Sequence, residues 1–144
     1  MVSVNTSVKF LVNLAKAQSI LTRRFDRGLG GLGFNEFLVL ISLHQADEQK
    51  MRRVDLAEKI GMTASGVTRI LLPMEKVHLI KSGPVEDDAR VRFVTATPAG
   101  KEKLSEALER IDLLMEEVIP SSKMKEVETF SNLLLEIGGK ALMV

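Results

Sequence analysis

The stretch LAEKIGMTASGVTRILLPMEKVHLI, residues 56–80, decides the fold. Gly61 breaks its helical spacing, and Thr63 stands where a hydroxyl can cap a second helix. Met62 before that cap and Val67 after it have the spacing of a hydrophobic staple. Val67, Ile70, Leu71 and Met74 then recur as one apolar stripe, while Ser65, Thr68 and Arg69 fall elsewhere. Asp55 and Glu58 have the form of a capping box, so the first helix is expected to open at Asp55 and to stop at Gly61. Two short helices joined by a tight glycine turn can cross steeply, one bracing the other.

Downstream the period changes from helical to alternating. Leu79-Ile80-Lys81 and Arg90-Val91-Arg92-Phe93-Val94-Thr95 predict two short strands, with SGPVEDDA at 82–89 as a polar hairpin tip. Thr97-Pro98 is a cap followed by a proline that suits a first helical turn. That helix is expected to reach about Ile119, with Leu104, Leu108, Ile111 and Met115 on one side. Pro120-Ser121-Ser122 breaks it, and a final amphipathic helix is expected from about 122. Upstream, Val8, Leu11, Val12, Ala15, Ser19 and Phe25 predict a helix over 7–27. GLGGLG at 28–33 reads as a turn, because it lacks the strand–helix context of a nucleotide cradle. Asn35 is the expected cap of EFLVLISLHQA, whose all-round hydrophobicity predicts burial, and DEQKM at 47–51 is a polar link.

Composition narrows the function classes. With 144 residues the chain has room for one core, and its 45% apolar and 27% charged residues are ordinary for a globular domain. It has no cysteine, tryptophan or tyrosine, which excludes disulfides, thiolate metal sites and cysteine catalysis. His44 and His78 are its two histidines and fall in different elements, so neither a metal site nor a cofactor is expected, and the chain is not expected to be an enzyme. The sequence holds no long uncharged apolar run and starts without a leader pattern, so the expected setting is the cytoplasm, away from membranes.

Charge is unevenly placed. Residues 50–103 carry eleven basic and seven acidic groups, whereas residues 104–144 carry four basic and eight acidic. A basic middle suits a polyanion. In a helix-turn-helix, the second helix presents its N-terminal residues, here Thr63, Ala64, Ser65 and Thr68, to base edges in the major groove of double-stranded DNA. The free amides at its start favour a phosphate, and a basic hairpin alongside suits the minor groove.

These residues resemble a family. The stretch 56–80 resembles the helix-turn-helix of MarR-type winged-helix transcription regulators of bacteria and archaea, ending in the passage into the first wing strand. Asp88-Ala89-Arg90 followed by Thr97-Pro98-Ala99-Gly100 resembles that family's wing Asp-x-Arg and the start of its next helix. LGFNEFLVLISL at 32–43 matches the helix before the reader pair, and the resemblance covers roughly residues 8–140.

The resemblance implies a homodimer joined by the helices of 7–27, 98–119 and 122–142. It also implies that Arg69 and Arg90 contact backbone and groove, that Asp88 orients the wing arginine through an ion pair, and that a small phenolic or lipophilic effector binds between the dimer and reader regions. Four residues depart from or complicate the pattern. Pro73 lies inside the reader helix and is expected to kink or loosen its last turns; His78 stands where the family commonly has glycine; Val85 replaces the first wing aspartate; and Leu72 falls beside the DNA-facing surface.

Bland readings stand beside these. Arg52 and Arg53 either touch phosphates or are solvated residues before a helix, and Glu86, Asp87 and Asp88 read as an exposed wing tip before they read as a cation cluster. Phe10, Phe25, Phe34 and Phe37 suit core packing before a ligand pocket. The expected architecture is a mainly α, winged helix-turn-helix domain spanning 1–144, with a DNA-binding part at 32–96, a two-stranded β-wing, and dimerisation helices at 7–27 and 98–142. The expected function is a ligand-responsive, sequence-specific repressor on a palindromic promoter site. The alternative is a winged-helix interaction or architectural module without sequence-specific binding.

Overall fold

The computed structural model describes residues 2–85 and 88–143, with the side chains of 84–91 and 143 outside that description. The elements run α1 (Thr6–Gly28), α2 (Phe34–Gln45), β1 (Lys50–Met51), α3 (Arg53–Ile60), α4 (Ala64–Lys76), β2 (Ile80–Val85), β3 (Asp88–Ala96), α5 (Pro98–Val118) and α6 (Met124–Met143). Two compact units result, Met1–Arg110 and Ile111–Val144.

In the first unit, α2 is the central element. It meets α1, α3, α4, β1 and β3, which is why its sequence is apolar all round. Val39, Leu40 and Leu43 of α2, Leu56 of α3, and Val67 and Leu71 of α4 are fully buried. Met74, Ile80 and Val94 complete this core against the sheet. Ser42, the buried hydroxyl of α2, donates to the Leu38 carbonyl at 2.7 Å, so it carries no unmet hydrogen bond there.

The sheet is antiparallel in the order β1-β3-β2. Two expectations need correction here. Ser82 to Val85 belong to a strand rather than a tip: Ser82 pairs with Val94, Gly83 with Phe93 and Pro84 with Arg92. The polar link at 47–51 also contributes a strand, since Lys50 pairs with Thr95 and Met51 with Val94. Pro84 is tolerable because β2 is an edge strand.

The loop 29–33 is a turn anchored by Leu29 and Leu32, each 1% exposed, and Gly28 ends α1. The cap of α2 is not Asn35. The helix starts at Phe34, whose N–H donates to Asp26 Oδ1 at 2.7 Å, and Gly33 N–H donates to Glu36 Oε1 at 3.3 Å. The phenylalanines at this corner pack on one another, Phe25 on Phe34 at 5.5 Å and Phe34 on Phe37 at 6.1 Å between ring centroids.

The Thr97-Pro98 start holds. Thr97 Oγ1 accepts from Gly100 N–H at 3.0 Å and donates to the His78 carbonyl at 2.6 Å, fixing α5 to the start of β2. Gly100 permits that approach, because a Cβ there would collide with the Leu79 carbonyl. The buried face of α5 is Gly100, Leu104 and Ala107, whereas Leu108 is exposed. In the second unit, α5 ends at Val118 and α6 begins at Met124, two residues later than expected, after a short 3-10 turn at Ser121–Lys123. Among the described residues no helix is long and apolar enough to cross a membrane.

Candidate nucleic-acid interface

The turn between α3 and α4 is built by Gly61 at φ +70°, a conformation that costs a Cβ-bearing residue. Gly61 N–H donates to the Glu58 carbonyl at 3.2 Å and Met62 N–H to the Ala57 carbonyl at 2.9 Å, closing α3. Thr63 then caps α4, its Oγ1 accepting from Gly66 N–H at 3.0 Å. With Val67, Leu71 and Met74 buried beneath, Ala64, Ser65, Arg69 and Leu72 are exposed on the outer side, and Thr68 is half-buried. The hydroxyls are engaged locally: Thr63 Oγ1 lies 3.3 Å from Ser65 Oγ, and Thr68 donates to the Ala64 carbonyl at 3.1 Å. Pro73 has no N–H for the Arg69 carbonyl, yet α4 is helical through to Lys76.

The first helix of the pair starts earlier than the expected Asp55. Its N-cap is Arg52, and Asp55 sits inside the first turn. Arg52 Nε donates to Asp55 Oδ2 at 2.8 Å and Nη2 to Oδ1 at 3.2 Å, a two-pronged clasp that competes with any capping role for the carboxylate. The hydrogen bond to Asp55, and then its charge, raise the Arg52 guanidinium further above its already high ordinary range. Arg53 Nη2 lies 3.9 Å from Glu75 Oε2, a charge contact rather than a hydrogen bond.

The backbone places Arg90 and Asp88 in β3, but their side chains lie outside the described residues, so the wing ion pair does too. Arg92, two residues further along that strand, is exposed and joins a crevice of about 600 Å³ with Arg52, Arg53, Val54, Glu75 and Ser82. Sequence reasoning missed both Arg92 and Glu75. The alternation in Arg90-Val91-Arg92 was the available signal for the first; nothing local marks the second. The Ser82 hydroxyl is buried with no hydrogen-bond partner among the described residues. On the other side of α4, Arg69 and Pro73 border a smaller crevice with Asp26 and Phe34. Among the described residues no group of three or more His, Asp or Glu is placed to hold a metal ion.

The MarR family model matches residues 34–91, from the start of α2 into the wing. This segment belongs to the MarR family. His78 adopts φ +63° at the turn where the resemblance places glycine, so the MarR-family turn is kept with a different residue. The fold is shared with solved structures. The regulator BldR from Sulfolobus solfataricus aligns over 94% of this chain and 99% of its own, at 22% identity and a TM-score of 0.78. Sco3205 from Streptomyces coelicolor, a MarR family regulator solved in complex with DNA, aligns over 94% and 91%, at 20% identity and TM-score 0.74. CouR from Rhodococcus jostii RHA1, solved with p-coumaroyl-CoA, aligns over 94% and 96%, at 19% identity and TM-score 0.80. No curated protein matches the sequence significantly.

Proposed function

We propose that the chain is a sequence-specific DNA-binding transcription regulator, a homodimeric repressor on a roughly palindromic promoter site. The observation that carries this reading is the two-sided character of α4. Its inner face locks into the core through Val67, Leu71 and Met74, while its N-terminal turn, Ser65 and Arg69 stand exposed. A helix anchored this way and capped at an open N-terminus is suited to enter a major groove, and in this reading Arg92 and Arg90 of the wing strand serve the adjacent backbone or minor groove. Repression by occupancy requires no reacting group.

Dimerisation accounts for the exposed apolar residues of the terminal helices, taken separately. Leu11 and Val12 of α1 are 65% and 57% exposed, and Leu135 and Leu142 of α6 are 75% and 74% exposed. Two-fold symmetry then sets two α4 helices at successive major grooves, about 34 Å apart. A small lipophilic or phenolic effector releases the DNA in this reading; the structural likeness to CouR, solved with p-coumaroyl-CoA, supports that class of ligand.

The test is salt-dependent binding of the full chain to a duplex selected from a random pool and to an unselected duplex. Arg90→Ala is expected to weaken both alike and to lower the salt slope by about one phosphate's worth. Ser65→Ala or Thr68→Ala is expected to cost on the order of 1–3 kcal/mol on the selected duplex alone. Equal, weak binding to all duplexes replaces this reading with the interaction-module alternative.

A further inference from the structure

We propose that α4 reads thymine C5-methyl groups through an apolar ridge that ends at Leu72, an inference that rests on the DNA-binding reading above. Leu72 is 56% exposed, on a helix whose inward residues Val67, Leu71 and Met74 are at most 1% exposed. It continues the line Ala64, Thr68, Leu72 at four-residue steps, so all three share one side of the helix. Part of the polar capacity near this line is already engaged within the helix, leaving the hydroxyls as acceptors. Thr68 donates its proton to the Ala64 carbonyl at 3.1 Å, and Ser65 Oγ lies 3.3 Å from Thr63 Oγ1. What Ala64 and Leu72 offer a groove is hydrocarbon.

The occupant follows from the surrounding charge. Lys76, one further step along the same line, and Arg69, beside it, are both exposed cations. A hydrophobic protein groove would have to desolvate them, whereas a nucleic-acid duplex neutralises them with phosphates. The apolar group that a duplex displays in its major groove is the thymine methyl. At 1.5 Å per residue the ridge from Ala64 to Leu72 spans about 12 Å, or roughly three to four base pairs at 3.4 Å each. The preferred half-site therefore contains thymine beneath Leu72.

The experiment uses the full chain and the best duplex from random selection. Each thymine of a half-site is replaced in turn by deoxyuridine, which removes the methyl alone. Wild type is expected to lose about fourfold in affinity at one position per half-site, the effect of one buried methyl. Leu72→Ala is expected to bind the thymine and deoxyuridine forms of that position equally, with its helical content unchanged. Indifference of wild type to every replacement, a selected half-site without thymine, or an Ala variant as methyl-sensitive as wild type overturns the Leu72 inference while DNA binding stands. Absence of any selected duplex overturns the DNA-binding reading itself and leaves the exposed face to a protein partner.

Discussion

The Arg53 guanidinium lies 3.9 Å from the Glu75 carboxylate, tying the first residue of α3 to the last turn of α4. Both side chains are partly exposed, at 41% and 37%, so the pair contributes little to folding. Its consequence is electrostatic: Glu75 offsets a cation beside the proposed DNA surface. Glu75→Gln is expected to tighten binding to any duplex several-fold and to steepen the salt slope by up to about one. Fluorescence anisotropy across a salt series reads both quantities. An unchanged slope means that Arg53 does not reach phosphate.

His78 holds φ +63° with a side chain that disfavours it. The backbone bonds that require this turn, His78 N–H to the Glu75 carbonyl at 3.0 Å and Thr97 Oγ1 to the His78 carbonyl at 2.6 Å, are available to any residue. His78→Gly is therefore expected to stabilise the fold by about 1 kcal/mol. Urea denaturation checks it, with His78→Ala as the control that keeps the Cβ and gains nothing.

Ser82 buries a hydroxyl without a partner among the described residues. Ser82→Ala removes that unmet group from β2 and is expected to raise stability by on the order of 1 kcal/mol. A loss of stability in the same denaturation series means that the hydroxyl is satisfied by water.

Leu113 and Leu135 are 64% and 75% exposed. If the second unit forms a dimer seam, a combined Leu113→Glu and Leu135→Glu variant is expected to be monomeric at micromolar concentration by light scattering. Retention of the dimer mass places the seam elsewhere.

Much of the reader was legible because its signals are local. Gly61 in a left-handed turn, Thr63 three residues before the amide it caps, and Thr97 before Pro98 each act within a few residues, and all three stand in the fold. Two caps differ from the local expectation, one through a group across a turn and one through a neighbour in the same turn. Asn35 had the right chemistry for a cap, but Asp26, eight residues back across a turn, takes the α2 amide first. Asp55 resembled a cap in isolation, but Arg52 clasps its carboxylate and the helix starts earlier.

By itself the sequence determined the order of the helices and of the two wing strands, the two short helices and their turn, and which side of α4 is apolar, since periodicity and capping are properties of adjacent residues. Tertiary structure alone decided that Lys50-Met51 is a strand, because only β3 supplies its hydrogen-bond partners. It extended β2 through Ser82–Val85 for the same reason, overriding the turn propensity of Gly-Pro. It also set Arg53 against Glu75 and gathered Arg52 and Arg92 around one crevice. Those contacts join residues twenty to forty positions apart, and which side chains meet at that range is fixed by how the helices and the sheet close over Leu40, Leu56 and Leu71.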